Sequence, residues 1–145
     1  MASGAIAPEH AGMEILVVDD SRLARVMLQG LLREALAGAH VDAVNDLENA
    51  CYRARRGTKP DLVLLDLGLP GCAGIDALTR FRRTFPNIPV VVISATDDRD
   101  SVEEALNAGA IGYISKWSSR DLMIAALGQV VAGRIRVPPE FAMPA

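Results

Sequence analysis

Apolar residues along the chain follow two alternating rhythms. Unbroken runs at 15–18, 62–65 and 90–93, with weaker ones at 40–44 and 111–115, are too apolar to face water and read as buried strands. Between them apolar positions recur every three or four residues, as one face of a helix requires. The first such stripe is Leu23, Met27, Leu28, Leu31, Leu32, Ala35 and Leu36; the second is Leu47, Ala50, Cys51 and Ala54. A third is Ile75, Leu78, Phe81 and Phe85, and the last is Leu122, Met123, Ala126, Leu127 and Val130. A polar stretch at 100–107 is a short helix between the fourth and fifth strands. Ser21 caps the first helix, and Gly38, Gly57, Pro86, Gly109 and Gly133 end successive helices. The predicted strands are therefore 15–18, 40–44, 62–66, 89–94 and 111–115, and the later helices 46–56, 74–85, 100–107 and 119–132.

Five strand–helix units of this kind call for an α/β fold: a parallel sheet covered by helices on both faces, with right-handed crossovers. Residues 1–12 are small and aperiodic and read as an arm, with the domain over 13–135 and a tail or linker start over 136–145. The chain has 145 residues, enough for one domain with a full core, and its 4 % aromatic content favours an aliphatic interior.

Charge removes several function classes. Fifteen Lys and Arg against eighteen Asp and Glu give a net charge of −3 with the signs interleaved, so direct nucleic-acid binding by this chain is not expected. The arginines at 53, 55 and 56 and at 80, 82 and 83 fall in the last turns of predicted helices, where cations suit the dipole. Cys51 and Cys72 lie outside any metal-binding spacing and read as reduced thiols. No leader pattern and no apolar stretch near ~18 residues is found, so no membrane span is expected and the location is taken as cytoplasmic.

The chemistry gathers at the carboxyl ends of the strands, where parallel sheets bind ligands. Asp19 and Asp20 leave the first strand, Asp66 the third, Ser94 the fourth and Lys116 the fifth. One strand-end Asp is equally well a turn cap; three acids, a hydroxyl and an amine on one edge are not five independent caps. Clustered carboxylates need a compensating cation, and an oxygen-only donor set suits Mg²⁺, with Mn²⁺ as the alternative ion. Such an ion neutralises phosphoryl oxygens, and a carboxylate such as Asp66 can attack phosphorus to give an acyl phosphate. Neither GxGxxG nor GxxxxGK[ST] is present.

Four segments, VVDDS at 17–21, LLDLGLPG at 64–71, VVISA at 91–95 and GYISK at 112–116, closely resemble the receiver domain of two-component response regulators, of the LuxR/NarL-like class. The resemblance implies a flavodoxin-like (βα)5 sandwich with strand order 2-1-3-4-5. It makes Asp66 the phosphoacceptor, with Asp20 and the Gly68 carbonyl as direct Mg²⁺ ligands and Asp19 acting mostly through water. Ser94 and Lys116 would receive phosphoryl oxygens beside the small Ala95, and Tyr113 would be an aromatic switch turning inward as Ser94 moves. Gly68 and Thr96 stand where receivers tune the acyl phosphate's lifetime. Without the resemblance, Tyr113 reads as ordinary core. Trp117 departs from the pattern, since many receivers carry a cis Pro there; loop packing is its expected role, with a partner contact as the alternative.

The implied partner is a sensor histidine kinase, with homodimerisation on phosphorylation as a further state. The implied function is a phosphorylation-dependent switch, not an enzyme acting on other substrates, controlling a LuxR-type DNA-binding domain outside this chain. The alternative is a stand-alone receiver working by protein contact or phosphorelay. A haloacid-dehalogenase-type phosphatase is disfavoured because the position two after Asp66 is Gly68.

Overall fold

The computed structural model describes residues 10–72 and 74–132. The proposed arm over 1–9, the closing Gly133 and the residues of the proposed domain end and tail lie outside the described residues. Five strands, β1 (Glu14–Val18), β2 (His40–Val44), β3 (Leu62–Asp66), β4 (Val90–Ser94) and β5 (Gly112–Ser115), alternate with five helices. These are α1 (Arg22–Ala35), α2 (Leu47–Arg56), α3 (Ile75–Thr84), α4 (Arg99–Asn107) and α5 (Arg120–Val131). All strand pairs are parallel, in the order β2-β1-β3-β4-β5. Strands and helices fall where the hydrophobic rhythm puts them, to within a residue at each end.

The two rhythms explain the layers. Alternate strand residues point to opposite faces, so Leu16, Val18, Val63, Leu65, Val90 and Val92 pack under α2, α3 and α4. Ile15, Val17, Leu62, Leu64, Val91 and Ile93 pack under α1 and α5. Both sets are almost wholly buried, which is why β1, β3 and β4 read as continuous apolar runs. Four of the five helix starts are fixed by side-chain caps: Ser21, Asp46, Asp98 and Ser119 each accept from the backbone N–H three residues on.

Two local expectations change. Leu23 and Met27, assigned to the buried stripe of the first helix, are 79 % and 43 % exposed, and the face against the sheet is Ala24, Leu28, Leu31 and Leu32. A small Ala lets α1 lie close to the sheet, which turns the larger neighbours outward. Residues 10–12, expected in the arm, form a turn in which the His10 N–H donates to the Ala37 carbonyl at 2.9 Å. The basic helix ends are more than solvated: Arg53 pairs with Asp42 at 2.5 Å, and Arg55 and Arg56 lie 5.6 Å from the Phe85 and Tyr52 ring centres. Cys51 and Cys72 are free thiols, and no described helix is long and apolar enough to cross a membrane.

Register brings the chemical residues together. Val18 stands beside Leu65, so the next residues, Asp19 and Asp66, leave the sheet side by side. Ser94 stands beside Ser115, so Ser94 and Lys116 leave together one strand over.

Phe81 of α3 is fully buried, so Phe81→Ala is expected to cost about 3–5 kcal/mol in urea unfolding. Leu23→Ala is expected to stay within about 0.5 kcal/mol of the parent. A large loss at Leu23 would mean that α1 is rotated from the position described.

Candidate functional site

Asp19 is buried to 0 % exposure and is held by three groups from its own neighbourhood. Its backbone N–H donates to the Val44 carbonyl at 3.1 Å, its Oδ1 accepts from the Ser21 N–H at 2.9 Å, and its carbonyl accepts from an Arg25 guanidinium N–H at 2.8 Å. The Arg25 contact was not read from the sequence; an arginine one turn into an amphipathic helix carries no signal of what it reaches. Asp66 is 5 % exposed, and its Oδ1 accepts from the Gly68 N–H at 3.0 Å. Asp20 is exposed at the rim.

Lys116 Nζ lies 2.8 Å from Asp19 Oδ2 and 3.4 Å from Asp66 Oδ2, so one cation serves both buried carboxylates. The contact to Asp19 is an ion pair, and Lys116 is the one partner of that buried oxygen among the described residues. Burial is the largest influence on Asp66 and raises its carboxyl above the ordinary value; the neighbouring Asp19 adds to that, while the Gly68 N–H and Lys116 oppose it. Burial works against the Lys116 ammonium, but its contacts with Asp19 and Asp66 outweigh it and raise its pKa.

One carboxylate oxygen from each of Asp19, Asp20 and Asp66 lies within 4.8 Å of the others. Three hard oxygen donors this close, two of them on buried residues, fit a divalent cation that prefers oxygen. The carboxylates open into a cleft of about 410 Å³ whose lining includes Asp20, Asp66, Gly68, Ser94, Ala95 and Lys116. A Cβ at Gly68 would stand 3.5 Å from Asp66 Oδ1, so glycine leaves that carboxylate uncovered.

Across the cleft, the loop from β4 to α4 is tied down by side chains of β5 and the turn after it. Ser94 Oγ accepts from the Thr96 N–H at 3.1 Å, and the Tyr113 hydroxyl donates to the Thr96 carbonyl. Tyr113 is 1 % exposed, so the ring is already inward here; burial leads in raising its phenol, with Asp98 and Asp97 adding and Ser94 opposing. Trp117 corrects the packing expectation. Its ring is 74 % exposed, its indole N–H donates to the Ala95 carbonyl at 2.6 Å, and the bond from Lys116 to Trp117 is trans.

The model of the response regulator receiver domain matches residues 15–128. The chain belongs to that family. It is 35 % identical over 128 residues to the glycerol metabolism activator of Pseudomonas putida, covering 88 % of this chain and 58 % of that protein. It is 32 % identical over 119 residues to the chemotaxis protein CheY of Thermotoga maritima, covering 82 % of this chain and 98 % of that one. A solved LuxR-family two-component response regulator from Aurantimonas sp. SI85-9A1 superposes with a TM-score of 0.78 at 31 % identity, covering 89 % and 91 % of the two chains. The chain thus spans little more than half the length of the activator it matches. Receiver domains are regulatory switches that partner with sensor histidine kinases. Of the residues singled out at the strand ends, Asp20, Asp66, Ser94 and Lys116 line this one cleft, and Asp19 is buried with its Oδ2 2.8 Å from Lys116 Nζ.

Removing the shared cation should expose the repulsion it balances. Lys116→Met is expected to cost about 3 kcal/mol at neutral pH, the low end for unpairing a buried ion because Lys116 is partly exposed. Asp66→Asn should do the opposite. A raised folded-state pKa means that the ionised carboxylate works against folding above the unfolded value, so the Asn variant gains stability at neutral pH. That gain should fade as pH falls through the raised folded-state value and vanish below the ordinary 3.8, where the carboxyl is protonated folded or unfolded. Urea titrations at neutral and acid pH check both signs.

Proposed function

We propose that Asp66 is the phosphoacceptor of this receiver domain and that the charge added there resets the loop and helix over 97–110. The observation that carries this is the cleft itself: Asp66 alone combines burial, a raised carboxyl, an uncovered face at Gly68 and a cation, Lys116, within reach. An Asp66 oxygen attacks the phosphorus of a phosphohistidine on the partner kinase; the phosphorus–nitrogen bond breaks and the imidazole leaves with the electron pair.

Asp20, Asp66 and the Gly68 carbonyl would hold Mg²⁺, with Asp19 acting through water, and Mn²⁺ is the alternative. The ion would supply charge neutralisation at the phosphoryl oxygens. Lys116 balances the rest of the added charge, about −1.5 to −2 for a phosphoryl group. Ser94 gives up the Thr96 N–H and turns its hydroxyl to a phosphoryl oxygen, and Ala95 beside it leaves room for the donor. Tyr113 follows Thr96, so the state of Asp66 is transmitted to α4.

Beside Lys116, α1 exposes Leu23, Val26 and Met27, an apolar stretch over which the donor would approach. A kinase helix seated on that apolar stretch would bring its phosphohistidine to the cleft, and such a donor implies a cytoplasmic location. The output is a changed surface, which in a longer protein would control a LuxR-type DNA-binding domain and pair two copies on phosphorylation. The likeness to a LuxR-family regulator supports that output. The near full-length match to the chemotaxis protein supports a second reading, a receiver that acts alone through protein contacts.

Incubation with acetyl phosphate and Mg²⁺ should add the mass of one phosphoryl group to the intact protein. Asp66→Asn and chelation of the metal should each abolish the addition, and Asp20→Asn should slow it at least tenfold at limiting Mg²⁺. Uptake by the Asp66→Asn protein equal to the parent would remove Asp66 from its role.

A further inference from the structure

Trp117 follows the cationic Lys116, is the single tryptophan of the chain, and is used in a way that a proline at this position could not reproduce. It spends two donors on the turn. Its backbone N–H reaches Ser115 Oγ at 3.1 Å, and its indole N–H reaches the Ala95 carbonyl at 2.6 Å. Proline has no backbone N–H and no polar side-chain atom, so neither bond would exist. Burial does not explain the indole's place, since the ring is 74 % exposed. An exposed tryptophan buries little apolar surface, so the short hydrogen bond is the main interaction fixing its orientation.

The acceptor is informative. Ala95 lies between Ser94, whose hydroxyl faces the cleft, and Thr96, whose carbonyl takes the Tyr113 hydroxyl. Two consecutive carbonyls of the β4–α4 loop are therefore held by donors from β5 and its following turn, one buried and one at the surface. Lys116, one residue before Trp117, holds Asp19 and Asp66, and its own N–H donates to the Ser94 carbonyl at 2.8 Å. The loop cannot shift at Ala95 without acting on the turn that carries the cation.

We infer that Trp117 is a positioning residue: its indole N–H, bonded to the Ala95 carbonyl, holds Ser94 and Lys116 in the mutual placement that receives a phosphoryl group on Asp66. The inference rests on Asp66 being the phosphoacceptor. A partly exposed hydrogen bond of this type is worth about threefold to tenfold in an equilibrium. Linkage makes the effect reciprocal: if the bond favours the receptive loop, occupation of Asp66 must strengthen the bond by the same factor.

The single indole gives one N–H resonance, which permits a direct test. In the metal-free parent the Trp117 indole N–H should exchange with solvent about threefold to tenfold more slowly than in an unstructured tryptophan peptide, as its bond to Ala95 requires. Free exchange would overturn the inference with no phosphoryl mimic involved. On adding Mg²⁺ and beryllofluoride, exchange should slow further, and Trp117→Phe, which keeps a ring but no donor, should lower the folding equilibrium by no more than the worth of that one bond while binding beryllofluoride about threefold to tenfold more weakly. Fluorine NMR of the bound mimic separates the two ideas. Equal affinity in parent and Trp117→Phe overturns the role of Trp117 and leaves Asp66 standing. No bound mimic in the parent overturns the phosphoacceptor assignment and the positioning role with it.

Discussion

Two carboxylates held side by side in a nearly dry place are the constraint on which the rest depends. The parallel register of β1 and β3 puts Asp19 and Asp66 next to each other as the chain leaves the sheet. Like charges at that separation, stripped of water, oppose folding. Lys116 from β5 is the resident answer, touching both, and Ser21, Gly68 and Val44 supply or take backbone hydrogen bonds that fix the acids in place. The remaining unbalanced charge, three clustered carboxylates against one ammonium, is what makes the cleft receptive to a divalent cation. The same feature that weakens the fold locally is the one that gives the site its chemistry.

The doubly wound sheet serves that constraint. Its strands are buried on both faces, so their ends cannot slip by one residue without exposing a whole apolar face. That rigidity sets where Asp19, Asp66, Ser94 and Lys116 emerge. The β4–α4 loop is the compliant part: its fixed points are hydrogen bonds from Thr96 to Ser94 and from Tyr113 and Trp117 to carbonyls, each of which can be exchanged at modest cost. In the proposed function a phosphoryl group on Asp66 would compete for Ser94 against a single N–H, which would let a local event move a helix.

Much of this was legible in the residues. Runs such as LVLLD and VVVIS can only be buried strands, and strand-end acids in two of the five units, with a hydroxyl and an amine in two more, point to one edge of one sheet. The parts that were not legible depend on angles and not on periodicity. The stripe of α1 contains more apolar residues than the sheet can cover, and nothing in their spacing says that Ala24 turns inward while Leu23 turns out. Trp117 read as packing because tryptophan is large and apolar; its indole N–H finding a carbonyl in a loop more than twenty residues earlier is a tertiary fact. Arg25 carries no periodic signal of what its side chain reaches, yet it holds the carbonyl of Asp19.

The most direct measurement of the central claim is chemical mapping of the phosphoryl linkage. After reaction with a small phosphodonor and Mg²⁺, borohydride reduces an acyl phosphate to the alcohol, so the acceptor aspartate becomes homoserine and peptide mass spectrometry reads its position. Homoserine at position 66 alone is the expected result. Homoserine at 19 or 20, or phosphate retained on a hydroxyl such as that of Ser94, would contradict the account.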